Sequence, residues 1–414
     1  MFVLLVALSF ANNAAVAQAK RPPARPPIKA TAPKLTKEQN FILSVVRSAV
    51  GMSQPDPQDR LRVLNSAVNI VSTLDSRYAA RLAKEGVAVE SRLVAAGMTP
   101  TVSIMASGRA DCATMNEFVE TLDPKNVFTA EESLIGAISK CPTQTLELVR
   151  QKTDAAVEQG TIAPRLLMAL MEKSGPASFW TRDRFAKLFS SLPDPAAEPA
   201  KQAAPDYAAM YASLAPKIGR DLARSSAARL FAWLNRMEAG PQRSSAVNIT
   251  ASGLERALGE KAYREFLEGD VVARQLVEAK GPPPSAQTNN EETVSVLRAM
   301  GSEGTEQLGD LRRLPASLRA REAAALGFAR GTAKPADKDS AASFFDIAFS
   351  AADEFWSQRE SIKNAAGIVE EVSEAAAHVD AIDALRRAQG LQDPTAQAIG
   401  MIAVARVVSG RDAR

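Results

Sequence analysis

Histidine occurs once in this chain of 414 residues, and cysteine only twice. A Ser-His-Asp or Cys-His hydrolase would have to use that single histidine, His378. It lies in a helical stretch between Ala377 and Val379 and reads as an ordinary surface or half-buried side chain. Two cysteines without histidines nearby fall short of the four ligands of a structural zinc, and one histidine removes most zinc and iron enzyme sites. No GxxxxGK[ST] loop is present and no GxGxxG follows a strand, so neither a phosphate cradle nor a dinucleotide fold is indicated. The residues imply no cofactor and no metal. Aromatic residues make up 5% of the chain, which leaves few rings for stacking on sugars.

Long apolar runs are missing as well. Phe2–Phe10 is apolar but too short to span a bilayer. It leads into Ala17-Gln18-Ala19, a small-x-small cleavage pattern, although basic residues ahead of the run are absent. The reading is a signal peptide over residues 1–19 and export to a periplasmic or extracellular compartment, with no transmembrane span in the mature chain. Strong charge of one sign is lacking overall, since the net charge is +3. Residues 20–36 form a proline-rich arm whose basic side chains are Lys20, Arg21, Arg25, Lys29 and Lys34, with no acid among them. The body after it is therefore near neutral, and no large counterion-release term favours nucleic acid. The arm reads as an extended spacer, or as a contact for an anionic surface through those five side chains.

What is abundant is alanine, set in helical patterns. Pro55 to Gly97 reads as a helical hairpin. Asp56 caps the first helix, with Pro57 at its first position. Leu61, Leu64, Ala67, Ile70, Val71 and Leu74 then fall on one face. Asp75-Ser76 turns the chain into a second helix through Tyr78, Leu82, Val89 and Leu93. Thr36 and Gln39 form a capping box before a helix carrying Phe41, Ile42, Val45, Val46 and Ala49, and Thr129 with Glu132 forms another. Further helices are expected over Cys112–Leu122, from Thr143, over Pro164–Lys173 and Thr181–Leu192, after Pro216, twice between Val247 and Ala279, from Phe344, and in three final segments ending near Val408. Residues 193–205 and 281–290 read as linkers. The organisation is then a helical domain at 37–192, a helical segment at 206–280 and a C-terminal helical domain at 291–414.

The fold class is all-α: irregular antiparallel helical hairpins in an α-solenoid-like array or in bundles. Leu64, Ala67, Ile70, Val71 and Leu74 match Ile362, Ala365, Ile368, Val369 and Val372 at one offset, an internal echo without a regular period. The pattern resembles the degenerate hairpins of α-solenoid proteins, but the tetratricopeptide signature is absent. Glu90-Ser91, Glu132-Ser133 and Glu360-Ser361 resemble the glutamate-serine pair of helical lytic transglycosylases, but the Gly-Leu-Met-Gln stretch of that family follows none of them. Cys112 and Cys141 could pair in an oxidising compartment or stay as separate buried thiols. No catalytic residue is assigned. The expected role is a non-catalytic scaffold or binding protein whose stacked hairpins meet a protein or an envelope polymer. The alternative is a cell-wall or glycan-acting enzyme that uses carboxylates on a helical fold.

Overall fold

The computed structural model describes residues 35–159, 161–279, 311–333, 338–358 and 362–412, and every regular element among them is helical. The signal segment 1–19, the basic side chains of the arm and the linker 281–290 lie outside the described residues, as do Gly160 and the Glu360-Ser361 pair. The fold class is the expected one, all-α and built from helical hairpins.

The helices are α1 (Lys37–Gly51), α2 (Pro57–Val71), α3 (Ser76–Ala95), α4 (Cys112–Thr121), α5 (Glu131–Lys140) and α6 (Pro142–Glu158). After them come α7 (Pro164–Ser174), α8 (Phe179–Ser190), α9 (Glu198–Ile218), α10 (Arg220–Asn235), α11 (Pro241–Leu258), α12 (Glu260–Gly269) and α13 (Val271–Glu278). The last five are α14 (Ala316–Ala333), α15 (Lys338–Ser357), α16 (Ile362–Val379), α17 (Ala381–Gln389) and α18 (Pro394–Asp412).

Local chemistry sets many of the ends. Thr36 accepts from the Gln39 N–H at 3.1 Å and its own N–H donates to Gln39 Oε1 at 3.0 Å, closing the capping box of α1. Asp56 and Asp75 cap α2 and α3. Gly97 ends α3 with φ near 74°, which lets the Met98 N–H reach back to the Leu93 carbonyl at 2.9 Å.

Three details differ from the sequence-based expectation. Helix α5 begins after Ala130, which makes no side-chain cap, so Thr129 does not cap it. The stretch read as a linker, 193–205, already holds the first turns of α9, a helix with Pro205 and Pro216 inside it. An interior proline costs about 3 kcal/mol. Here that is offset because the same helix buries Ala204, Tyr207, Ala208, Met210, Tyr211 and Leu214, each large side chain returning about 1.5–3 kcal/mol. Between Val247 and Ala279 the chain forms parts of three helices, not two, because Gly259 and Asp270 break it twice.

Burial divides into two cores. The first is formed by α1–α6 together with α14–α18. The second is formed by α8–α13. Helix α18 runs through the middle of the first core, packed against α1, α2, α16 and α17. Its segment Ala398–Ala405 has no charged residue and is buried all round, as expected of a central helix. The two helices of the internal echo, α2 and α16, both pack against α18, and Arg62 of α2 meets Glu370 of α16 at 3.4 Å. Helix α7 belongs to both cores: Leu166 and Leu170 face the first, Leu167 and Met171 the second.

Candidate functional site

Cys112 and Cys141, the pair singled out in the sequence, are joined by a disulfide with their Cα atoms 5.6 Å apart. The bond ties the start of α4 to the end of α5 and closes one side of the 101–111 loop. Glu90 holds the other side. Its carboxylate is fully buried and accepts from Ser103 Oγ at 2.5 Å, from Ser133 Oγ and from the Ile104 N–H at 3.0 Å. Burial pushes this carboxyl above its ordinary value against those hydrogen bonds. Two glutamate-serine pairs of the sequence thus contribute one residue each to a single cluster, Glu90 and Ser133. Lys140 Nζ donates to the carbonyls of Gly108 and Ala110. Gly136 lets the loop lie on α5, since a Cβ there would sit 2.4 Å from the Met105 carbonyl oxygen. This assembly clamps a loop, and its carboxylate has no access to a substrate.

A second cluster lies at the N-terminal end of α7. Glu131 of α5 is half-buried and accepts from the Leu166 N–H at 3.0 Å. Its neighbour Glu132 bonds Arg165 of α7. Asp206 of α9, also half-buried, acts electrostatically on both Arg165 and Glu131. Burial raises the carboxyls of Glu131 and Asp206 above their ordinary values, and the Arg165 charge opposes the shift without cancelling it. Burial also raises the Tyr207 phenol, and both carboxylates add to that. Among the described residues no group of three or more His, Cys, Asp or Glu side chains is arranged to hold a metal ion.

An open groove lies on the second core. A concavity of about 750 Å³ lies between the start of α8 and the start of α10, lined by Phe179, Arg182, Asp183, Asp221, Leu222 and Ser225. A second concavity of about 400 Å³ continues past Asp221 and Ser225 to Arg224, Phe266 and Asp270. Phe179 stands at the rim with 86% of its surface exposed, whereas Phe185, Leu188 and Phe189 of the same helix are buried. Charges of both signs line the groove, Arg182 and Arg224 with Asp183, Asp221 and Asp270. The N-terminus of α10 follows Gly219 and has no side-chain cap. Such a surface offers an exposed aromatic anchor and charges of both signs, which suits recognition of a polypeptide more than of a small apolar ligand.

Sequence reasoning did not single out Phe179, and a signal for it existed. Phe179 directly follows the capping Ser178 and falls off the stripe formed by Phe185, Leu188 and Phe189. Of the charged side chains at the start of α10, Asp221 and Arg224 line the groove. His378 is exposed, and its ring meets Phe328 edge-on with centroids 6.0 Å apart. The arm side chains Lys20, Arg21, Arg25, Lys29 and Lys34 lie outside the described residues. No described helix is long and apolar enough to cross a membrane. No protein-family model, curated protein or solved structure matches this chain.

Proposed function

We propose that the protein is an exported, non-catalytic binding protein or scaffold that engages a protein partner through the α8–α10 groove. The observation that carries this reading is Phe179, a large ring left almost fully in water at the mouth of an open, charge-lined concavity. A solvated phenylalanine forgoes about 1.5–3 kcal/mol of burial, which a partner's surface can supply. Export is supported by the Phe2–Phe10 run with the Ala17-Gln18-Ala19 pattern and by the bonded Cys112–Cys141 pair, since disulfides persist in oxidising compartments. The buried carboxylate of Glu90 acts as a clamp and gives the rival glycan-cleaving reading no accessible acid at that pair.

The test is site-specific photo-crosslinking in the exported fraction. A photoreactive phenylalanine is placed at position 179, at position 225, or at exposed Ile382 on the first core as a control. Discrete adducts to a protein at 179 and 225, absent at 382 and abolished by competition with unlabelled chain, are the expected result. The same adducts at all three positions would remove the groove from the argument. Release of soluble wall fragments by the purified chain would favour the enzyme instead.

A further inference from the structure

A third concavity, of about 360 Å³, lies on the first core. It sits between the last turns of α3 and α4 and the single 3-10 turn Pro124–Asn126. Its volume falls in the range of small-molecule sites. Val94 of α3 with Phe118 and Leu122 at the end of α4 give it an apolar wall. Asn126 stands in that wall. The residue is 8% exposed, and its side-chain amide bonds none of the described residues. Its backbone is fully employed: the N–H donates to the Asp123 carbonyl at 2.9 Å and the carbonyl accepts from the Ala130 N–H at 2.9 Å. Buried polar side chains almost always find a partner, so an amide fixed by its backbone and open to a cavity is placed for one from outside the chain. The charges and carbonyls around it are matched, with one exception. Asp123 pairs with Lys125 at 3.0 Å. The Glu120 and Leu122 carbonyls at the end of α4 are taken by Lys152 Nζ, at 2.9 and 2.7 Å. The Arg92, Leu93 and Val94 carbonyls of α3 accept from the N–H groups that follow the helix. The exception is the Arg92 side chain, exposed at the rim, which has no acidic partner among the described residues.

We propose that this concavity binds an acylated apolar amino acid, with its carboxylate on Arg92, its amide on Asn126 and its side chain against Val94, Phe118 and Leu122. The amide of asparagine both donates and accepts, and the group that answers it in both senses is another amide. A guanidinium without an anion takes a carboxylate through two parallel N–H groups. The apolar wall gains from burying an aliphatic or aromatic side chain and gains nothing from a polar one. Ser91 adds a hydroxyl from α3, while its neighbour Glu90 turns away to the 101–111 loop. A ligand of this chemistry occurs free, as an N-acyl amino acid, or as the last residue of a peptide. The site is separate from the α8–α10 groove, which lies on the second core.

The test is titration calorimetry and saturation-transfer NMR on the full chain with N-acetyl-leucine, its neutral C-terminal amide, and acetate. N-acetyl-leucine should bind saturably, about tenfold or more tighter than the neutral amide, because only the acid meets Arg92 with a charge. Arg92→Gln should erase that preference. Asn126→Leu should weaken acid and neutral amide alike, by about threefold to tenfold. Its melting midpoint without ligand should match or exceed that of wild type, since the lost amide pairs with nothing in the chain. Absence of saturable binding in the millimolar range would overturn the proposal, as would acetate binding equally well or both variants binding as wild type does. A clear fall in the Asn126→Leu midpoint would also overturn it, by showing that Asn126 holds the turn. Arg92→Gln, at an exposed position, tests the carboxylate contact whatever that variant does. An acetylated tetrapeptide ending in leucine separates the two sources. Binding as tight as that of N-acetyl-leucine assigns the site to peptide ends, and its rejection assigns the site to free acyl amino acids.

Discussion

Glu90 shows how one residue can serve both cohesion and sensitivity to pH. It sits at 0% exposure with two hydroxyls and one backbone N–H directed at it and no cation beside it among its hydrogen-bond partners. Its folded-state carboxyl is raised above the ordinary 4.5, so folding favours the protonated form. Its contribution is complete below that ordinary value and declines as pH rises through the folded one. Glu131 and Asp206 act in the same direction. The unfolding midpoint is therefore expected to fall as pH rises above the ordinary carboxyl range, and thermal melts across that range check it. Glu90→Gln should flatten part of the fall, while a dependence identical to wild type would deny Glu90 this role. Glu90→Ala should instead destabilise at every pH, by about 1–3 kcal/mol for each buried donor left without its acceptor, as read by denaturant titration.

Among the elements, the 101–111 loop has little regular structure and is fastened from several sides. Its own backbone closes single turns, from the Ser107 N–H to the Ser103 carbonyl at 3.2 Å and from the Gly108 N–H to the Met105 carbonyl at 3.0 Å, and side chains from α3 and α5 hold the rest. Glu90 and Ser133 take its start, Gly136 lets its backbone approach, and Lys140 and the disulfide take its end. The two cysteines are 29 residues apart, and in the chain-entropy picture closing a loop of that length contributes about 3–4 kcal/mol. Cys112→Ser/Cys141→Ser should lower stability by about that amount, measured by denaturant unfolding against wild type with and without reductant. Reductant should move wild type to the variant's midpoint and leave the variant where it is. An unmoved midpoint in both would mean that Glu90 and Lys140 hold the loop unaided.

Over the whole molecule, the chain closes on itself. Helix α18, at the far end of the sequence, is the axis on which α1, α2, α16 and α17 pack. Arg406 on it meets Glu370 and Glu374 of α16, and Glu370 also meets Arg62 of α2. Removing α18, a helix of 19 residues, should therefore unfold helices that lie more than three hundred positions earlier. Hydrogen exchange on a chain ending before Pro394 should show lost protection in α1 and α2, with protection retained in α9 and α11 of the second core. Retained protection in α1 and α2 would show that the N-terminal hairpins carry their own core.

The class of structure and much of its punctuation are legible in the residues alone. Apolar spacing, Asp-Pro starts and the Thr36–Gln39 box are local signals, and each acts within one or two turns. That is why α1, α2, α3 and α7 lie close to where their residues place them. The same local reading predicts an unremarkable place for His378. Proline misled at 198–205, because its penalty is local while the compensating burial of Tyr207 and Tyr211 comes from helices elsewhere in the chain. Long-range packing settles which helices share a core, that α18 joins the N-terminal hairpins, and that Glu90 meets Ser133 rather than its own neighbour Ser91. It alone left Phe179 in water and brought Glu131 and Glu132 of α5 to the first turn of α7. The physical reason is that amphipathic faces record that a helix must be covered, but not by which helix. An Ala-rich face fits many partners, and the choice among them is made by the summed packing of the whole chain.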